Sequence, residues 1–113
     1  SVIVLAEHVE GVENIEEICK VEGVAAVFIG PYDLSASFNK IGRVQDKEVL
    51  DAITHIRDVC RAHGMPVGIH GATPEFLLPH IRDGFTLVSA SADIAIFAAG
   101  ARQLLDTLRG ARK

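Results

Sequence analysis

Val24-Ala-Ala-Val-Phe-Ile29 runs without a polar residue into Gly30-Pro31-Tyr32-Asp33-Leu34-Ser35-Ala36-Ser37, and this join decides the fold. An uninterrupted apolar run of this length, β-branched at both ends, suits a strand of a parallel sheet covered on both faces. Gly30-Pro31 stops the strand, and Asp33 to Ser37 is expected to form a short helical turn with Asp33 near its start.

The same alternation extends in both directions. Ser1 to Ala6 is a second apolar, β-branched run and the first strand. Gly11 to Lys20 reads as a helix, with Val12, Ile15, Ile18 and Cys19 on one face and Glu13, Glu16 and Glu17 on the other. Gly23 ends that unit. Beyond the central join, Asn39 to Asp46 is polar and is expected to be a loop. Lys47 to His63 is the longest helix, with an apolar stripe of Val49, Leu50, Ile53, Ile56, Val59 and Cys60. Asp46 is suited to cap its start and Gly64 to follow its end. Pro66 to His70 is the third strand. Thr73-Pro74 opens a helix that runs to Asp83 and is closed by Gly84. Phe85 to Ser89 is the fourth strand. The last helix begins at Asp93, read as its N-cap, or at Ile94, and runs to Leu108; Arg109 to Lys113 is expected to fray.

This order is α/β, with four β-α units. Strands alternating with helices imply parallel pairing and right-handed crossovers. An open doubly wound sheet and half of a (β/α)8 TIM barrel both fit. A whole barrel needs about 250 residues, whereas this chain has 113. Neither GxGxxG after a strand nor GxxxxGK[ST] occurs, so the dinucleotide-binding reading lacks its strongest signal.

Composition narrows the function. About half the residues are apolar, 49%, and 23% are charged, an ordinary globular balance. The net charge of -4 opposes nucleic acid as a partner. No apolar run approaches the ~20 residues of a membrane span, so a cytoplasmic protein without a membrane partner is expected. Cys19 and Cys60 match no CxxC pattern and read as buried thiols of a reducing compartment; the alternative is a disulfide or a reactive thiol. Ser1 leads straight into a strand with no methionine, so the sequence is expected to be a piece of a longer protein.

Glu7 closes the first strand and Asp33 follows the second. In parallel α/β folds the C-terminal strand ends form the active face, and adjacent strands lie about 4.8 Å apart. Two carboxylates there can share one divalent ion and leave positions for substrate and water, an arrangement suited to Mg²⁺ or Mn²⁺ and not to structural zinc. Each acid taken singly also fits a solvated loop or a helix cap.

Ala6-Glu7-His8-Val9-Glu10-Gly11-Val12-Glu13-Asn14-Ile15 resembles the strand-loop-helix opening found in the HpcH/HpaI aldolase family. Ile29-Gly30-Pro31-Tyr32-Asp33-Leu34-Ser35-Ala36-Ser37 resembles that family's signature more closely. Val21-Glu22-Gly23-Val24 and Gly84-Phe85-Thr86-Leu87-Val88 are similar too. The resemblance covers nearly the whole chain but only the C-terminal half of a family member, so residues 1–113 are expected to be the second half of an aldolase barrel domain.

The resemblance implies a class II aldolase: a lyase that cleaves a 4-hydroxy-2-oxo acid to pyruvate and an aldehyde with Mg²⁺, Mn²⁺ or Co²⁺, in a homo-oligomer. It implies Glu7 and Asp33 as the metal ligands. It also implies a substrate-carboxylate site at Gly30 and Tyr32, where Gly30 admits the ligand and the Tyr32 N–H donates, because Pro31 has no N–H; the alternative is that Gly-Pro only ends the strand. Ser35 either lines the pocket or caps the turn.

His70 stands where the family usually has an apolar residue. It would contact a polar or acidic aldehyde, carry a proton, or simply be a solvated strand-end histidine. His8 replaces a more usual Thr or Ser, and Leu5 a frequent Gln. Ser91-Ala92-Asp93 resembles a Gly-Ser-Asp turn. The family's catalytic His and enolate-stabilising Arg belong to the other half of the barrel and match no position here, so the chain alone is expected to be weakly active or inactive. A citrate-lyase-β-like or malyl-CoA-lyase-like enzyme and a non-catalytic scaffold are the competing readings.

Overall fold

The computed structural model describes residues 1–112. Its strands are β1 (Val2–Ala6), β2 (Val24–Ile29), β3 (Val67–Gly71) and β4 (Leu87–Ala90). They form one sheet in the order β1-β2-β3-β4, and every neighbouring pair is parallel. The order is strictly consecutive. A doubly wound sheet reverses direction at a switch point, so the arrangement is that of a barrel wall.

The helices are α1 (Val9–Glu13), α2 (Ile15–Cys19), α3 (Pro31–Ser37), α4 (Lys47–Ala62), α5 (Pro74–Arg82) and α6 (Asp93–Gly110). The helix expected over Gly11 to Lys20 is two short helices that begin earlier. His8 caps α1, with its Nδ1 accepting from Glu10 N–H at 3.2 Å. The break falls at Asn14, whose side-chain amide donates to Glu10 O at 2.8 Å. The same carbonyl also accepts from Asn14 N–H at 3.0 Å. Asp46 and Thr73 cap α4 and α5 as expected. Asp93 does not cap α6; Ala92 holds that position, and Asp93 accepts from Ile94 N–H inside the first turn. Helix α6 also continues through Arg109 to Gly110, past the expected end at Leu108. Phe85 precedes β4 and is buried in the core.

Alternation along each strand assigns the two faces of the sheet. Ala6, Val27, Ile29, Val67 and Ile69 turn toward the helices and pack with Val49, Ile53, Ile56 and Cys60 of α4. Burying an aliphatic side chain of this size contributes roughly 1.5–3 kcal/mol. The opposite face is not covered. Ile3 is 53% exposed, Leu5 51% and Leu87 42%. The expectation that the apolar strands would be buried on both faces is therefore corrected for this face. It is the side that turns inward in a closed barrel, where side chains of further strands would fill it. Gly68 lies there between neighbours: a Cβ on it would stand 2.7 Å from Phe28 Cδ2 and 2.6 Å from Leu87 O.

Helix α6 projects from the rest, and none of its described residues is buried. Ile94, Phe97, Leu104 and Leu108 are all exposed. Among the described residues, no helix is long and apolar enough to cross a membrane.

Ile56 and Ile94 form a controlled pair. Ile56→Ala empties a fully enclosed site and is expected to lower the unfolding free energy by about 2–5 kcal/mol. Ile94→Ala is expected to change it by less than about 0.5 kcal/mol. Urea denaturation of both variants checks this. Burial also pushes the Cys60 thiol up from 9.0 to about 12, with Cys19 beside it adding to the shift. Between those two values the unfolded chain gives up a proton that the folded chain keeps. This contribution is therefore whole below pH 9 and is lost as pH rises toward 12. The urea midpoint of the parent chain is expected to fall more steeply above pH 9 than that of Cys60→Ala.

Candidate active site

The C-terminal ends of the four strands lie on one side of the sheet and bring together most of the residues singled out in the sequence. Glu7 follows β1 directly and is half-buried. Its carboxylate lies over Gly30, where a Cβ would come within 3.1 Å of Glu7 Oε2. That Cβ would also meet Leu5 Cδ1 at 3.9 Å, which puts the carboxylate on the uncovered, barrel-interior side of the sheet. A side chain at Gly30 would crowd the carboxylate, which would have to give by a few tenths of an ångström.

Gly30 is also the N-cap of α3, and Pro31 is the first residue of that helix. Asp33 is exposed in the first turn. The helix begins two residues earlier than expected, because Pro31 is preset for a first turn and needs no hydrogen-bond donor there. The N–H groups of Tyr32 and Asp33 fall in the turn where helical N–H groups have no intrahelical acceptor.

Two hydrogen bonds join the Glu7 connection to the Asp33 helix. Gly30 N–H donates to Ala6 O at 3.2 Å. Val9 N–H donates to Ser37 Oγ at 3.1 Å, while the Ser37 hydroxyl donates to Leu34 O at 2.7 Å. Ser37 thus ties the start of α1 to the end of α3. Nothing local in the motif from Ile29 to Ser37 signals this role, which arises from a contact between residues 28 positions apart.

Ser35 is fully buried. Its hydroxyl donates to Tyr32 O and accepts from Gly42 N–H at 2.9 Å. The first bond lies within the helix, and the second fastens the loop after α3 onto it.

His70 lies near the end of β3, and its Nδ1 is 3.0 Å from Ser89 Oγ, its register partner on β4. Tyr32 and His70 line one cleft of about 440 Å³ with Pro31, Gln45, Thr73 and Phe76. The cleft adjoins the N-terminus of α3 and therefore the Asp33 turn. Ser91, just beyond β4, has φ 62, in the left-handed region that glycine enters freely. Its N–H donates to Gly71 O at 2.8 Å, which holds the turn in place. His80 is half-buried. Phe76 and Phe85 stand against it, with ring centroids 4.9 and 5.4 Å away, and burial lowers its pKa.

Among the described residues, no group of three or more His, Cys, Asp or Glu side chains is gathered as a metal cage. The donor set of this chain is two carboxylates on neighbouring connections. Oxygen donors with open positions fit a hard divalent ion completed by water or substrate. The gap that Gly30 leaves beneath the Glu7 carboxylate fits the same group.

A consecutive parallel wall with carboxylates at its C-terminal mouth is part of a barrel-type α/β fold. Comparison with known proteins carries this further. The family model for HpcH/HpaI aldolase/citrate lyase matches residues 1–98, and the chain belongs to that family. It is 34% identical over 109 residues to a 5-keto-4-deoxy-D-glucarate aldolase of Salmonella arizonae, covering 96% of this chain and 43% of the relative. It is 36% identical over 110 residues to a 2-dehydro-3,6-dideoxy-6-sulfogluconate aldolase of Pseudomonas putida, covering 97% of this chain and 43% of that protein. A crystal structure of an HpcH/HpaI aldolase/citrate lyase family protein from Burkholderia cenocepacia superposes with a TM-score of 0.93 at 30% identity, covering 96% of this chain and 42% of that one. The chain thus spans less than half the length of the curated relatives it matches, and its four-stranded wall is a partial barrel.

Ser37→Ala removes the tie between the two carboxylate-bearing connections but leaves the core intact. It is expected to weaken Mn²⁺ binding about tenfold or more, as loss of groups that orient ligands does. Gly30→Ala is expected to act in the same direction by crowding the Glu7 carboxylate. Calorimetric titration with Mn²⁺, alongside circular dichroism to verify folding, checks both.

Proposed function

We propose that this chain forms the metal-holding part of an aldolase that cleaves a 4-hydroxy-2-oxo acid into pyruvate and an aldehyde. The observation that carries the reading is the Glu7 carboxylate, laid over Gly30 beside the first turn of α3, where Asp33 stands. The relatives whose names specify sugar-acid aldolases support the same reaction class.

In this reading Glu7 and Asp33 hold Mg²⁺, Mn²⁺ or Co²⁺. A divalent ion at that place would supply Lewis-acid stabilisation of the negative charge that develops on the 2-oxo acid as its carbon–carbon bond breaks. The Tyr32 N–H, at the start of α3 and without a helical partner, receives the substrate carboxylate, and the missing side chain of Gly30 lets it approach. A short helix start favours an anion there through its aligned N–H groups.

In this reading His70, which lines the cleft with Tyr32, would meet the departing aldehyde. Its Nδ1 is engaged by the Ser89 hydroxyl, which leaves Nε2 for an aldehyde hydroxyl or carboxylate. The general base and the enolate-stabilising arginine come from the remainder of the barrel, and residues 1–113 act as its C-terminal half. The exposed apolar side chains of α6 support assembly into a homo-oligomer.

Glu7→Gln and Asp33→Asn, each assayed in the complete barrel with Mg²⁺, Mn²⁺ or Co²⁺, are expected to lower kcat for retro-aldol cleavage by at least about a hundredfold. The fold is expected to remain intact. Near-parental turnover in either variant contradicts the assignment. His70→Leu is expected to raise KM for aldehydes bearing a hydroxyl or carboxylate, with little effect on KM for pyruvate in the condensation direction. An equal change for both substrates would remove His70 from the aldehyde side.

A further inference from the structure

Cys19 and Cys60 are 41 positions apart in sequence, yet their Sγ atoms lie 3.8 Å from each other. Cys19 ends α2 and Cys60 lies in the last turns of α4, so the two thiols meet where these helices pack. Both are free. They differ in access: Cys19 is partly exposed, whereas Cys60 is enclosed in the core. Neither belongs to the carboxylate site or to the cleft beside it, and the reaction proposed above gives them no task.

We infer that Cys19 and Cys60 form a hydroperoxide-sensitive pair, in which Cys19 meets the oxidant and Cys60 resolves it as an intramolecular disulfide. A thiol contact at 3.8 Å is van der Waals separation. Closing it to the ~2.05 Å of a disulfide asks for rotation of side chains rather than separation of helices.

Access and acidity order the two steps. The oxidant reaches the partly exposed Cys19 first, and burial, by pushing the Cys60 thiol up to about 12, keeps that sulfur from competing as a thiolate. In the first step the Cys19 thiolate attacks a peroxide oxygen. The S–O bond forms, the O–O bond breaks, and the departing oxygen leaves as water after taking a proton. In the second step the Cys60 sulfur attacks the Cys19 sulfur. The S–S bond forms, the S–O bond breaks, and hydroxide leaves as water with the Cys60 proton. Two thiols lose two electrons in total, and one hydroperoxide gains them.

The link would fasten α2 to α4. Helix α2 sits in the connection between β1 and β2, the two strands whose ends carry Glu7 and Asp33. Closing so long a loop restricts the unfolded chain strongly.

The test is treatment of the purified chain with hydrogen peroxide, followed by intact-mass and peptide analysis. The expected result is a monomer lighter by two hydrogen atoms, with the Cys19 and Cys60 peptides joined and released by dithiothreitol. The oxidised form is expected to melt at least about 5 °C higher than the reduced form. Cys60→Ala is expected to stop at a Cys19 sulfenic acid captured by dimedone. Cys19→Ala, which changes a partly exposed position and leaves the core intact, is expected to leave Cys60 unmodified. Oxygen addition to Cys19 in the parent chain without a joined peptide overturns the proposal. So does a disulfide formed only between two copies, or a parent chain that remains reduced.

Discussion

One packed interface orders everything else in this chain. Val27 and Ile29 of β2 and Val67 and Ile69 of β3 lie under Val49, Ile53, Ile56 and Cys60 of α4. Because side chains alternate along a strand, seating this set against the helix sends Phe28 and His70 to the opposite face. A one-residue slip would reverse both faces together. The same register places the end of β1 beside the end of β2, with Ala6 opposite Ile29. That pairing is what brings Glu7 next to Gly30. The site is therefore a consequence of core packing several residues away.

The connections are held as firmly as the strands. Ser37 bonds Val9, Gly30 bonds Ala6, and Ser35 secures the loop to Gly42. These contacts satisfy backbone groups at the ends of short helices, where few internal hydrogen bonds form. They also limit the freedom of two carboxylate-bearing segments. The metal site proposed for Glu7 and Asp33 would depend on such support, since each of only two ligands contributes a large share of the geometry.

The structure is asymmetric in how it uses apolar surface. One face of the sheet is sealed by helices; the other exposes Ile3, Leu5 and Leu87, and α6 exposes a row of large side chains. In a closed barrel the first group meets the remaining strands. The match to proteins more than twice as long agrees with this distribution. The exposed face is thus the other half of the same pattern that made the core.

Sequence alone determined the four β-α units, the parallel pairing they require, the caps at Asp46 and Thr73, and the family signature from Ile29 to Ser37. These are local matters: apolar period, turn residues and first-turn prolines act within a few positions. It did not determine the break at Asn14, which interrupts a segment whose apolar period reads as one continuous helix. Nor did it determine the task of Ser37, the burial of Ser35, the His70–Ser89 contact or the meeting of Cys19 with Cys60. Each of those pairs elements separated by at least one turn of chain, and no periodicity records which side chains will meet. Only the tertiary structure decided between a doubly wound sheet and a barrel wall, because strand order is a property of the assembled sheet and not of any strand within it.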